Sequence, residues 1–226
     1  PRDERVVLHV GQHRQLTRQQ IQQLEFPSYN TCQRRIRESL IPNRLLKKPV
    51  YIDLKGDGSV YPIYTLDKRG KELYTARTGL EVKSNRVSLK YTPHLIETNS
   101  IIVFLKQRGY IDFDKGDFQL EVSMGNKMID LLIQLPEFNF AVEVDLSEKD
   151  WKKTIQEQYI RYEEVVRSSL IDIELEAVVY YTNRGKRLRK WITDVSQGYL
   201  EPIFCPREPK YMIDVIKEIA KEKATI

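Results

Sequence analysis

Between residues 14 and 69, two helix starts and one hairpin signal follow each other at close spacing, and this order constrains the fold more than any other feature. Leu16-Thr17-Arg18-Gln19-Gln20-Ile21 sets a threonine before a helix and a glutamine three residues on. Such a pair satisfies backbone groups that a helix start leaves without partners, so Thr17 reads as an N-cap and Gln20 as its capping-box partner. A second start reads at Asn30, with Gln33 in the reciprocal position, and opens a helix over 31–40. At 100° per residue Cys32, Ile36 and Leu40 line one side of it. Thr31, Arg34, Arg35 and Glu38 fall opposite, with Arg37 on a flank. Two β-prone runs, 50–54 and 60–66, then flank Lys55-Gly56-Asp57-Gly58-Ser59, where Asp-Gly supplies the positive φ that a tight hairpin needs.

Helix, turn, helix and hairpin, in that order, form the pattern of a winged helix-turn-helix. A helix fits the major groove of duplex DNA, arginine forks read guanine edges, and a hairpin reaches the neighbouring backbone. The candidate DNA contacts are therefore Arg18, Thr31, Arg34, Arg35, Arg37, Arg44, Lys47, Lys48 and Lys55. The competing reading is a helical protein-interaction module whose arginines are only solvated.

Charge separates these readings. The whole chain holds 37 basic and 32 acidic residues, a net of +5 that decides little. Residues 1–86 hold 17 Lys and Arg against 9 Asp and Glu, a net of +8, which leaves 20 against 23, a net of −3, for residues 87–226. Phosphate neutralisation needs clustered positive charge, and the cluster coincides with the helix-turn-helix half. Hydrophobic content of 41% argues against wholesale disorder, and 226 residues suffice for two domains with cores, expected at 1–86 and 87–226. Cys32 and Cys205 lack metal-ligand spacing and read as buried thiols. No apolar run is long enough to span a bilayer, and the opening residues do not read as a signal peptide, so a cytoplasmic protein without membrane partners is expected. Because the chain opens at Pro1 rather than Met, some N-terminal residues are expected to be missing.

The second half alternates strands and helices, which implies an α/β sheet covered on both faces. Residues 74–92 read as an irregular connection, followed by a helix over 93–107 and strands over 118–122, 128–135 and 138–146. In the last strand Phe138, Phe140, Val142, Val144 and Leu146 share one face, and Asn139, Ala141, Glu143 and Asp145 the other. If the strand carrying Asp130 is its neighbour, Asp130, Glu143 and Asp145 can converge. Three carboxylates in one place repel each other unless a cation is present, and hard oxygen donors suit Mg²⁺ or Mn²⁺. The alternative is three surface acids on a half-exposed strand. Ser147 and Asp150 read as a further capping box opening a helix to about residue 168, with Trp151, Ile155, Tyr159, Tyr162 and Val166 as its apolar stripe. Gln158 falls within that stripe, either directed at the carboxylates or reaching solvent. A strand over 173–181, a basic helix over 186–195, a strand over 199–204 and a final amphipathic helix over 209–223 complete the chain. Arg184, Lys186, Arg187, Arg189 and Lys190 form a second basic cluster, read first as a solvated face.

Asp130, Glu143-Val144-Asp145 and Gln158-x-x-x-Tyr162 together resemble the PD-(D/E)xK nuclease superfamily, and Gly125 ahead of Asp130 is similar to its exonuclease-like branch. A winged helix followed by such a domain resembles the replication-relaxation proteins of bacterial plasmids and integrative elements. The stretches carrying that likeness are Leu16-Thr17-x-x-Gln20-Ile21, His94 and Ala141-Val142-Glu143-Val144-Asp145. The resemblance implies Asp130, Glu143 and Asp145 as metal ligands and catalytic residues, with Gln158 beside them. Asp145 stands where that pattern has lysine; some members of the superfamily work with a carboxylate there, and others recruit a lysine from the following helix, for which Lys149 and Lys152 are the candidates. The fold class implied is an α+β winged helix-turn-helix followed by an α/β nuclease-like domain. Two functions follow: a double-stranded DNA-binding accessory protein of mobile-element replication or transfer, or a Mg²⁺- or Mn²⁺-dependent DNA endonuclease. The implied partners are double-stranded DNA, a second copy of the chain in a homodimer, and relaxase or replication proteins, with a nucleoid- or plasmid-associated location in bacteria.

Overall fold

The computed structural model describes residues 2–54, 56–82, 86–112, 115–124, 127–146, 152–168 and 174–223. It is a mixed α/β chain with a three-stranded and a five-stranded sheet, dividing into two units, Pro1–Val103 and Phe104–Ile226.

The first unit opens with α1 (Arg2–His13), which the sequence reading left unassigned. Val6, Val7 and Val10 recur at helical spacing and are fully buried, while Asp3 and Glu4 lie in the first turn, where the helix dipole favours acids. Strand β1 (Leu16–Thr17) leads into α2 (Arg18–Glu25). The expected capping box is present: the Thr17 hydroxyl accepts from Gln20 N, and the Gln20 amide oxygen accepts from Thr17 N. The second cap differs from expectation. Ser28, not Asn30, caps α3 (Tyr29–Arg35), its Oγ accepting from Thr31 N at 3.3 Å. Pro27 favours an extended backbone in the residue before it, so the helix starts directly after that bend. Beyond Arg35 the helix widens into a π turn over Ile36–Leu40, in which Ile41 N donates to Ile36 O. Cys32, Ile36 and Leu40 are all buried, as their spacing predicts.

Strands β2 (Val50–Asp53) and β3 (Val60–Tyr64) form the hairpin, and β1 pairs with β3, giving the order β1-β3-β2. Asp53 ties the connection, its carboxylate accepting from Gly56 N and Gly58 N, and both glycines take positive φ (72° and 84°). Residues 74–78 are not irregular: they complete α4 (Lys68–Thr78), capped by Asp67 and closed by left-handed Gly79. Tyr74 of α4 lies so close to Gly11 of α1 that a Cβ there would sit 2.1 Å from its ring.

Helix α5 (Thr92–Gln107) follows. The first unit therefore extends well past residue 86, and buried amides explain why. Asn99 Nδ2 donates to the carbonyls of His13 and Gln15, its Oδ1 meets His13 Nδ1 at 2.9 Å, and Gln20 Nε2 donates to Ile96 O and Ser100 Oγ. Desolvation of a wholly buried imidazole takes His13 from 6.5 down to about 3, the Asn99 bond opposing and His9 adding to that shift.

In the second unit β4 (Phe118–Met124), β5 (Lys127–Gln134), β6 (Asn139–Val144), β7 (Ala177–Tyr181) and β8 (Glu201–Cys205) line up in chain order. The pairs β4–β5 and β5–β6 are antiparallel, and β6–β7 and β7–β8 are parallel. The two parallel connections pass through α6 (Lys152–Ser168) and α7 (Gly185–Thr193), and a 3₁₀ turn at Pro209–Tyr211 leads into α8 (Met212–Lys223). Ala141, Val178 and Tyr180 form a core with Ile155, Tyr159 and Tyr162 of α6 and Leu188 and Ile192 of α7. Phe140, Val142 and Val179 alternate with them and are also buried, so both sheet faces are covered as the strand pattern predicts. Cys32 and Cys205 are free, buried thiols, pushed up to about 12 mainly by burial.

Candidate nucleic-acid interface and carboxylate site

The first unit presents its candidate cations around α3 and the β2–β3 hairpin, and the structure sorts them into paired and open groups. Arg35 makes a two-pronged bond to Asp3 at 2.7 and 2.8 Å, and Ser39 Oγ donates to the same carboxylate. Burial alone would raise the Asp3 carboxyl, yet these hydrogen bonds and the Arg35 charge hold it below its usual value. Arg37 pairs with Glu38 at 2.8 Å, and Arg44 with Asp67 at 3.6 Å. Thr31 is engaged in the Ser28 cap rather than held out to a ligand. Lys55 lies outside the described residues. Arg18, Arg34, Lys47 and Lys48 have no carboxylate partner among the described residues, and the last three are exposed. The Arg18 guanidinium sits 4.2 Å from the Tyr29 ring centroid. An open groove of about 560 Å³, lined by Arg2, Phe26, Thr31, Arg34, Arg35, Glu38 and Ser39, runs along the outer side of α3.

The three acids of the second unit lie on or just beyond the neighbouring strands β5 and β6. Leu131 pairs with Val142, so Asp130 and Glu143 are the next positions on their strands, on the sheet face of Ala141 and Tyr180. Asp130 Oδ2 accepts from Val144 N at 2.9 Å. The Tyr162 hydroxyl donates to Glu143 Oε1. Burial first, then the Glu143 charge, raises the Tyr162 phenol well above its ordinary value. Tyr180 stands across from Glu143 on β7 and is raised well above its ordinary value by the same causes.

Asp145 faces a different set of partners. Arg184 Nη2 donates to both Asp145 oxygens at 3.0 and 2.9 Å, Arg184 Nε adds a bond at 3.0 Å, and Thr182 Oγ1 donates at 2.8 Å. Both charged side chains are mostly buried, at 15% and 13% exposure. Among the described residues no group of three or more His, Cys, Asp or Glu side chains is placed to hold a metal. Asp130 and Glu143 thus stand opposite each other on β5 and β6, and Asp145 is engaged by Arg184 and Thr182. Lys152 is exposed and donates to Asp194 Oδ2 at 3.1 Å. Lys149 lies outside the described residues, and Gln158 is half-buried in α6.

Three residues escaped the sequence reading. Arg184 was grouped with a solvated basic face, but β6 and β7 run parallel with Val144 beside Tyr181, so the strand ends deliver Asp145 next to Thr182-Asn183-Arg184. Glu121 takes a φ of 50° at the β4 position opposite Asp130, between the pairs Leu120–Leu131 and Val122–Ile129. Glu163 of α6 is 2% exposed and accepts from Gln197 N and Tyr199 N, fastening the loop before β8. Only Arg184 had a legible signal, the Thr-x-Arg that directly follows a buried parallel strand.

No helix among the described residues is long and apolar enough to cross a membrane. No curated protein and no solved structure matches the chain. The model of one family, described as replication-relaxation, matches residues 8–172, which takes in all of the first unit beyond α1's first half and the second unit through β6 and α6. With most of its length covered by that match, the chain belongs to the replication-relaxation family.

Proposed function

We propose that this protein is a double-stranded DNA-binding accessory factor acting in replication or transfer of a mobile element. The description of its family points to replication, and the notion of DNA as the partner rests on the first unit. Its order α1-β1-α2-α3-β2-β3 supports reading that unit as a winged helix-turn-helix, with α3 in the major groove and the hairpin against the flanking backbone. One observation carries this reading: Arg18, Arg34, Lys47 and Lys48, around α3 and the hairpin, have no carboxylate partner among the described residues. A cation paired within the protein has little left to offer a phosphate, whereas an open one releases condensed counterions when it meets DNA. Arg34 is the candidate base reader, and Arg35, held by Asp3, shapes the groove beside it.

The second unit supports the accessory reading over a nuclease. Its strand order is compatible with a PD-(D/E)xK-like fold, but the acid in place of lysine is closed off by Arg184, and Lys152 is turned to Asp194. This unit serves as a platform for the partner, a second copy or a replication protein. The endonuclease reading keeps one specific support, the neighbouring Asp130 and Glu143 on β5 and β6. Supercoiled DNA incubated with Mg²⁺ or Mn²⁺ separates the two: the accessory reading expects no nicking, and nicking that a Glu143→Ala variant abolishes would establish the enzyme instead.

A further inference from the structure

On the β2–β3 hairpin, Tyr51 is 64% and Val60 61% exposed. Cross-strand register fixes which way they face. Tyr51 pairs with Pro62 and Asp53 with Val60, so Tyr51, Asp53, Val60, Pro62 and Tyr64 share one face of the sheet, the Asp53 carboxylate being turned into the Gly56 and Gly58 N–H groups of the connection. Tyr64 belongs to the core that includes Leu16, Cys32 and Ile36, so this is the α2–α3 side. Ile52 and Ile63, on the opposite face, pack on Ile96 of α5. Toward the hairpin tip, Tyr51 and Val60 therefore continue past the helices as an open apolar strip, diagonal neighbours across the strand pair. Tyr29, at the first turn of α3, is 43% exposed, and its ring lies under the Arg18 guanidinium. Cys32 shares the Tyr64 core and its Sγ lies 3.7 Å from Arg18 O, so the Arg18–Tyr29 pair stands on this same side of the sheet.

Isolated exposed aromatics need no explanation, but a strip of them beside unneutralised cations does. Arg18 has no carboxylate partner among the described residues, its Nε is buried without an acceptor, and Lys47 and Lys48 lie just before β2. Positive charge selects an anionic occupant over a second copy of this basic unit. Duplex DNA uses the cations but not the rings, because paired bases are stacked on one another and show a protein only their edges. An unpaired base has a free π-face, and stacking on aromatic side chains is how single strands are held. Resting on the DNA-binding reading above, we propose that the Tyr29–Tyr51–Val60 strip stacks unpaired bases, so that the preferred substrate is a junction between duplex and single-stranded DNA.

The test uses the full chain and three probes of one sequence: a blunt duplex, a fork with one unpaired arm carrying 2-aminopurine, and the single strand. The expected result is about tenfold tighter binding of the fork than of the blunt duplex, with 2-aminopurine fluorescence quenched on binding. Tyr51→Ala removes the preference and the quenching, while Tyr51→Phe keeps both, since the ring rather than the hydroxyl does the stacking. Circular dichroism of each variant confirms that the fold is intact. Equal affinity for fork and duplex overturns the proposal, as does a Tyr51→Phe variant as weak as Tyr51→Ala, which marks a phenol–phosphate contact. Self-association that Tyr51→Ala abolishes overturns it in favour of a dimer surface. Failure to bind any of the probes sinks the DNA-binding reading itself, whereas equal binding of all three sinks only this one.

Discussion

The two units handle charge in opposite ways. Around α3 and the hairpin, exposed Arg34, Lys47 and Lys48 and half-buried Arg18 have no carboxylate partner among the described residues, beside three exposed arginines that are paired. In the second unit the mostly buried Asp145 and Arg184 close on each other, the still more buried Glu163 accepts from backbone N–H groups, and Glu143 takes a hydrogen bond from Tyr162. An open surface cation costs little in water and gains when it meets a phosphate. A buried pair has already given up its solvation and has less to offer an incoming ligand. The contrast teaches that the same residue types are left open to solvent in one unit and satisfied within the protein in the other, among the described residues.

The largest expected effect tests the open side of that contrast. Replacing Arg18, Arg34, Lys47 and Lys48 together by alanine should flatten the dependence of log K on log salt by about 3 to 4 units, close to one per cation removed. Arg34→Ala alone should cost about 1–3 kcal/mol of binding if it reads a base edge. A mobility-shift series over salt concentration checks both, and unchanged affinity in the fourfold variant breaks the comparison.

Next comes the closed side. Arg184→Ala strands a mostly buried carboxylate and should destabilise the protein by about 3 kcal/mol, read from urea midpoints. Replacing both partners, Asp145→Leu with Arg184→Met, should recover much of that loss. Should the single variant prove as stable as the parent, the pair is a surface contact and the contrast disappears.

How much of this was legible beforehand differs by range of interaction. The Thr17–Gln20 box, the buried Cys32–Ile36–Leu40 line and the Asp-Gly hairpin are local features, and they stand where their spacing put them. The cap at Ser28 was missed because Asn30 offers the same chemistry two residues later, and only the backbone bend after Pro27 chooses between them. The α1 helix was readable from Val6, Val7 and Val10 but lies ahead of the capping signals. Arg184 and Asp145 are far apart in sequence, and their pairing depends on β6 and β7 being parallel neighbours. Such adjacency is a property of the whole sheet, which no local pattern encodes.

A pH-dependent effect, smaller for each single pH unit, sharpens the boundary of the first unit. His13 titrates at about 3 in the folded chain and near 6.5 when unfolded, so the unfolded state holds the extra proton between those values. Its stabilising contribution is complete above pH 6.5 and is lost as pH falls toward 3, at up to about 1.4 kcal/mol per pH unit. Denaturation midpoints across that window should show the slope, and His13→Gln should reduce it. The smallest effect concerns Arg35: Asp3→Asn releases it from its pair and should tighten duplex binding by roughly 0.5 kcal/mol. Weaker binding would instead mean that the paired arginine is the one that docks.

The most direct measurement is a fluorescence-anisotropy titration of the full chain with a random-sequence duplex at about 50 and 200 mM salt. Binding at the lower concentration, with affinity falling by about a hundredfold at the higher one, is the predicted result for four open cations meeting phosphates. No binding at low salt, or an affinity indifferent to salt, would contradict the assignment of the first unit to DNA.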